Sequence, residues 1–189
     1  MSGKKKFLIT LAALALLVAA AIPLGKAALK MLYPLPYQDL IVHHAEKNGL
    51  DAYLVAALIK AESNFIADAS SHKDARGLMQ LTDPTACWVA EKLGIADYSF
   101  DRLDDPDLNI ALGCWYFAHL LEAYEGDTRL ALCAYNAGMG NVDRWLRSDQ
   151  YSSDGVCLDV IPYPETEHYV QNTMQYKEMY EMLYAGELG

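Results

Sequence analysis

Residues 51–64 read DAYLVAALIKAESN, a stretch with no charge between Asp51 and Lys60 and with Glu62 close behind. If the stretch is a helix, Glu62 sits in its last turn, toward the negative end of the helix dipole and against apolar neighbours. Both influences disfavour the carboxylate and push its pKa upward, as a general acid near neutral pH requires. On position alone, an ordinary surface glutamate beside Lys60 explains the residue equally well. Little else has spacing that carries chemistry. His43 and His44 are adjacent, cannot share a helix face, and read as a surface pair. His72, His119 and His168 form no HExxH or other ligand spacing. Cys87, Cys114, Cys133 and Cys157 are separated by 27, 19 and 24 residues with no CxxC, so they give no metal-site signal. No GxSxG, phosphate-binding loop or dinucleotide fingerprint occurs.

The elements that would position Glu62 read as helices. Asn48-Gly49 ends a short first one, and Asp51 caps a second from Ala52 to about Asn64. Leu54, Leu58, Ala61 and Phe65 stripe that second helix, and Val55, Ala56 and Ile59 widen the stripe into a core helix. Asp83-Pro84 supplies an N-cap followed by proline at the first helical position, and Gly94 closes that helix. Asp105-Pro106 repeats the device, with acids at 104, 105 and 107 facing the positive end of the dipole. Asp127 caps a helix that stops at Ala137-Gly138, and Asn141 starts a short one through Trp145. Residues 148–164 read as a long irregular loop. A last helix from about 164 to 184 carries Tyr169, Thr173, Tyr176, Tyr180 and Leu183 on one face, mostly as core. Cys87, Cys114 and Cys133 lie in apolar helical patterns and read as buried free thiols. No alternating strand pattern stands out, so the folded part reads as all-α or nearly so.

Five ordered blocks decide between an acid and a surface charge. These are Ala61-Glu62-Ser63-Asn64-Phe65, Gly77-Leu78-Met79-Gln80, Asn109-Ile110-Ala111-Leu112-Gly113, Ala134-Tyr135-Asn136-Ala137-Gly138, and Ile161-Pro162-Tyr163-Pro164-Glu165-Thr166 with Tyr169-Val170 after it. Together, over about residues 37–184, they resemble the lytic transglycosylases of glycoside hydrolase family 23, the SLT-domain group with a goose-lysozyme-like fold. The resemblance implies a mostly α, lysozyme-like domain. It makes Glu62 the catalytic acid/base, and places Ser71 and Gln80 along the sugar subsites. Tyr135 matches a tyrosine beside the reaction centre, with Asn136 adjoining. Glu165 matches a second carboxylate that positions the tyrosine and substrate rather than acting as a nucleophile. Apart from the resemblance, the tyrosine stripe of the last helix reads mostly as core, with an aromatic sugar contact at Tyr169 as the alternative. Ser63 is as much a local hydrogen-bonder as a ligand contact. The chain departs from the family pattern in Asp74 for glycine, Met139 for proline, Cys133 for alanine, and Leu81-Thr82 for Ile-Met.

Ordinary glycosidases use two carboxylates. The resemblance implies one, which protonates the oxygen between MurNAc and GlcNAc and then takes a proton from the MurNAc 6-hydroxyl. A 1,6-anhydro ring closes, and neither water, metal nor cofactor is needed. A hydrolytic muramidase on the same fold and a non-catalytic wall-binding module stay open as alternatives.

Charge and the first thirty residues place this chemistry. Of 15 basic residues, five lysines lie in those thirty positions, where no acid occurs; the remainder has 10 basic against 25 acidic residues, a net of −15. Such a domain repels polyanions, which excludes binding of nucleic acid through phosphate neutralisation. Residues 7–24 are apolar except for Thr10 and Pro23, and as a helix they would extend about 27 Å, close to a hydrocarbon core of roughly 30 Å. Lys4, Lys5 and Lys6 in front keep that end cytoplasmic. Residues 1–30 therefore read as a transmembrane anchor, with a cleaved signal peptide ending near Ala19-Ala20-Ala21 as the competing reading. Either exports residues 31–189 as the catalytic domain. An extended tether of residues 25–37 would reach about 45 Å. The expected partners are peptidoglycan glycan strands, the cytoplasmic membrane through residues 7–24, and the cell-wall synthesis machinery.

Overall fold

The computed structural model describes residues 3–72 and 74–188, with several side chains between positions 3 and 18 left out. Two units divide the chain, the first ending at Leu35 and the second beginning at Pro36. The first is one helix, α1 (Gly3–Leu32), which runs through Pro23. Phe7, Leu17, Ile22 and Leu24 are each more than three-fifths exposed on it. Among the described residues no helix is long and apolar enough to cross a membrane; several side chains of the 7–24 segment lie outside them. The extended tether is corrected, because residues 25–32 continue the helix. They advance about 1.5 Å per residue where an extended chain covers about 3.5 Å.

The second unit is mostly helical. α2 (Gln38–Lys47) and α3 (Ala52–Ser63) are joined through Asp51, whose carboxylate accepts from the amides of Tyr53 and Leu54 and so caps α3. Such a cap contributes about 1 kcal/mol. Two short strands follow, β1 (Ala75–Arg76) and β2 (Leu81–Thr82), paired antiparallel with Arg76 opposite Leu81. α4 (Asp83–Leu93), a 3₁₀ turn (Phe100–Asp104), α5 (Pro106–Ala123), α6 (Thr128–Ala137), α7 (Met139–Leu146) and α8 (Pro164–Leu183) complete the order. α3 is buried along most of its length, at Ala52 and from Leu54 through Ile59. It packs chiefly on α8, where Val170, Thr173, Tyr180 and Leu183 are buried. A second aliphatic cluster joins α4 and α5 through Leu81, Ala86, Val89, Ala90, Leu103, Leu108 and Leu112.

Several expectations change. The hairpin was missed because two-residue strands are too short to show a period of two. The cap of α4 is Thr82, not Asp83: the Asp83 carboxylate instead accepts from the Tyr98 hydroxyl at 2.8 Å. α7 starts at Met139, two residues before the expected Asn141. His44 is buried, with Nε2 2.7 Å from Asp107 Oδ1, while only His43 is exposed. Neighbouring helix positions point about 100° apart, which is why one ring of the pair faces α5 and the other water. Cys114 and Cys133 are buried free thiols as expected, but Cys87 is exposed on α4. Cys157 is exposed within a turn that Asp154 holds by accepting from the amides of Val156 and Cys157.

Candidate active site

Glu62 is the next-to-last residue of α3, and the chain turns sharply just beyond it. Asn64 (φ 51°) and Phe65 (φ 65°) both take the left-handed conformation, ending the helix and returning Phe65 to the core against Tyr180. Ser63 serves the fold: its Oγ donates to the Ile59 and Leu78 carbonyls at 3.2 and 2.8 Å, tying the end of α3 to the hairpin turn.

That turn, Gly77-Leu78-Met79-Gln80, is held by one buried amide. Asn109 of α5 is fully buried; its Oδ1 accepts from the Met79 amide at 2.8 Å. Its Nδ2 donates to the carbonyls of Arg76 and Leu103 at 3.1 and 3.0 Å. Gly77 has φ +82°, and a Cβ there would lie 2.0 Å from Asn109 Nδ2, so the amide reaches the turn only because residue 77 has no side chain. Tyr135 of α6 holds the same residue through its carbonyl, its Oη donating to the Met79 oxygen at 2.7 Å. Arg76 pins the hairpin to the 3₁₀ turn through Asp104 and Asp101. That pairing with Arg76 holds the Asp104 carboxyl below its usual range against the opposing effect of burial.

A cavity of about 260 Å³ opens over these elements, lined by Glu62, Ser71, His72, Ala75, Gln80, Thr82, Tyr135, Asn136 and Glu165. Six of the seven residues singled out in the sequence therefore meet on one surface. The seventh, Tyr169 of α8, stands beside the acid, with Oη donating to Glu62 Oε1 at 2.6 Å. Burial first, and then the Glu62 charge, hold the Tyr169 and Tyr135 phenols protonated well above their ordinary range. Tyr169 thus faces Glu62 as a hydrogen-bond donor. α6 and α8 are brought together where Thr166 Oγ1 donates to Asn136 Oδ1 at 2.8 Å. This places Glu165 at the rim, with an exposed side chain. Gln80 lies in the left-handed region at φ 47°, its Nε2 donating to the carbonyls of Ala69 and Gly77. Asp74, where the family pattern has glycine, also has a positive φ of 53°. Aspartate is among the few residues that tolerate that backbone, so the departure keeps the turn.

His72, Ala75 and Thr82 join the cavity without having been singled out, and neither had Asn109 or Thr166 been given a role. Asn109 and Thr166 lie inside quoted blocks, Ala75 and Thr82 within two residues of one, and His72 beside Ser71, which was the available signal. Among the described residues no group of acids, histidines and cysteines could hold a metal ion. The arrangement offers one half-buried carboxyl with a phenol donor, a second carboxyl at the rim, and amide and hydroxyl groups able to bond sugar hydroxyls.

Comparison with known proteins gives one family. Residues 39–155 match the family described as Transglycosylase SLT domain. The soluble lytic murein transglycosylase of Salmonella typhimurium is 31% identical over 150 residues, covering 78% of this chain and 23% of that protein. The membrane-bound lytic murein transglycosylase C of Edwardsiella ictaluri is 35% identical over 137 residues, covering 67% of this chain and 38% of that protein. An inactive glutamate-to-glutamine mutant of lytic transglycosylase Slt from Pseudomonas aeruginosa superposes with a TM-score of 0.72 at 33% identity, over 82% of this chain and 25% of that one. The chain spans about a quarter of the length of the first of these relatives.

Proposed function

The chain belongs to the transglycosylase SLT domain family, and from that premise we propose that it cleaves the MurNAc–GlcNAc β-1,4 bond of peptidoglycan without water, leaving 1,6-anhydro-MurNAc ends. The observation that carries the reading is the Glu62 carboxyl on the cavity wall with the Tyr169 phenol 2.6 Å from Oε1. Protonated Glu62 gives its proton to the glycosidic oxygen as the bond to the MurNAc anomeric carbon breaks, and the GlcNAc side leaves as an alcohol. The MurNAc N-acetyl group steadies the oxocarbenium-like centre. Glu62, now a carboxylate, takes the proton of the MurNAc 6-hydroxyl, whose oxygen closes on the anomeric carbon. The proton lost in the first half is regained in the second, so no cofactor takes part. Tyr169 steadies Glu62 while it is charged, and its hydroxyl orients the carboxyl toward the cavity. Ser71, Gln80, Tyr135 and Asn136 hold the sugars, and Glu165 positions them from the rim.

Products from purified peptidoglycan, measured by mass spectrometry, test this reading. Anhydro-muropeptides, lighter by one water than hydrolysed ones, are expected. Glu62→Gln keeps the shape but cannot transfer a proton, so its rate should fall by about 10²–10⁴-fold. A rate above about a tenth of wild type removes Glu62 from the acid role. Glu165→Gln should lose less, and no sugar adduct should form on Glu165; trapping one makes the enzyme a retaining hydrolase.

For location, the reading is that residues 1–30 hold the catalytic domain, residues 31–189, at the extracytoplasmic face of the cell membrane, within reach of the wall synthesis machinery. It is supported by Lys4–Lys6 ahead of the apolar 7–24 segment and by the exposed Phe7, Leu17, Ile22 and Leu24 on α1.

A further inference from the structure

α4 starts at the rim of the cleft. Thr82 lines the cavity and immediately precedes the helix. Its Oγ1 lies 3.0 Å from that of Thr85, and Trp88 follows one turn on. Positions three apart are neighbours on a helix surface. Thr82, Thr85 and Trp88 therefore form one stripe, which runs about 9 Å along the axis away from the cavity. A second route from the cavity ends at the same residue. Tyr135 on the cavity wall is 5.5 Å from Tyr116 between ring centroids, and Tyr116 is 6.3 Å from Trp88.

Two further rings cluster with Trp88. Trp115 lies 5.3 Å from it and His119 5.1 Å. Trp115 and His119 are stacked at 5.6 Å with their planes 6° apart. Trp88, Trp115, Tyr116 and His119 are all partly exposed. The buried cluster against which Trp88 and Trp115 pack is aliphatic, so these rings lie on the core rather than in it. The cavity itself is only about 260 Å³, below the roughly 300–1,000 Å³ of pockets that enclose a drug-sized ligand. A polymer bound in it must leave across the neighbouring surface.

We propose that Trp88, Trp115 and His119 form an outer stacking platform over which a glycan strand runs as it leaves the cleft. The C–H faces of a pyranose ring are apolar and weakly positive, and they fit the negative π-face of an indole. The contact is uncharged, so it needs no basic groups from a domain with an acid excess. The platform rests on the glycan-cleaving reading of the cleft and extends it to a site that binds without reacting.

The test uses the full chain carrying Glu62→Gln, so that substrate is bound but not turned over. Calorimetry would measure its affinity for peptide-free glycan fragments of two, three and four GlcNAc–MurNAc repeats. Affinity should rise with length. Trp88→Leu together with Trp115→Leu should weaken the longest fragment by roughly three- to tenfold and leave the shortest unchanged. Leucine keeps an apolar cover over the core while removing the flat ring, and normal binding of the shortest fragment certifies the fold. If the double variant fails that check, Trp115→Leu and His119→Leu, each made singly, carry the same comparison. An affinity that does not grow with length, or a longest fragment unaffected by these substitutions, overturns the platform. A cleft that binds no glycan fragment overturns the platform and the cleavage reading together, whereas bound fragments with no anhydro product from the unsubstituted enzyme overturn only the latter.

Discussion

Asn109→Ala removes the amide that holds the hairpin turn over the cavity, and its cost can be worked from three contacts. The Met79 amide loses its acceptor at 2.8 Å, and the Arg76 and Leu103 carbonyls lose donors at 3.1 and 3.0 Å. A buried donor or acceptor left unpaired costs about 1–3 kcal/mol. The amide hydrogen loses its single bond, while each carbonyl keeps a second lone pair for another donor. The sum is then roughly 3–5 kcal/mol, a large part of the 5–15 kcal/mol typical of a whole domain. For about 150 residues this lowers the thermal midpoint by roughly 6–20 °C. Asn109→Asp should be no milder, because it turns a carboxylate oxygen toward two carbonyls in a buried place. Urea denaturation gives the loss directly. Because Tyr135 Oη donates to the carbonyl of the same Met79, a double-mutant cycle with Tyr135→Phe should show a coupling of about 0.5–3 kcal/mol. A loss under about 1 kcal/mol, or strict additivity with Tyr135→Phe, would refute the view that this amide and that phenol jointly hold the turn.

Three further outcomes are expected. Tyr169→Phe should fold normally yet lose roughly tenfold to a hundredfold in kcat/KM, since a hydrogen bond to a charged group is worth about 1.5–3 kcal/mol; wild-type rates would show that Glu62 needs no donor there. Asp104→Asn should destabilise the chain by about 1 kcal/mol at neutral pH, as for a partly exposed bidentate pair. The Asp104 pKa is depressed chiefly by Arg76, so its contribution is present above the unfolded value near 3.9 and is lost as pH falls through the folded value. Melting curves of both proteins should therefore converge below that range, and a gap that persists in acid contradicts the pairing. Fractionation of cells expressing the full chain should recover it with the membrane; recovery mainly as a soluble protein beginning near Ile22 means that the leader is cleaved.

Local chemistry made much of the fold legible. Asp51, Asp105 and Asp127 each cap the helix expected of them, and Gly94 ends α4 in the left-handed conformation. These are short-range effects, decided within a turn of chain, so sequence spacing is enough to find them. The same holds for the apolar length of α3 and for Glu62 in its last turn. Family blocks then picked out Ser71, Gln80, Tyr135, Asn136, Glu165 and Tyr169, but not how they meet. Competition among distant partners decided the rest. Asp83 was free to cap α4 until Tyr98 took its carboxylate. His44 turned inward because Asp107, sixty-three residues on, offers it an acceptor. Trp88 lies 27 and 31 positions from Trp115 and His119, and the three rings cluster only where α4 and α5 pack side by side. The contact of Tyr169 with Glu62 spans 107 positions. No local propensity encodes such a pair, since it forms only when burial of the α3 and α8 faces brings the two helices together.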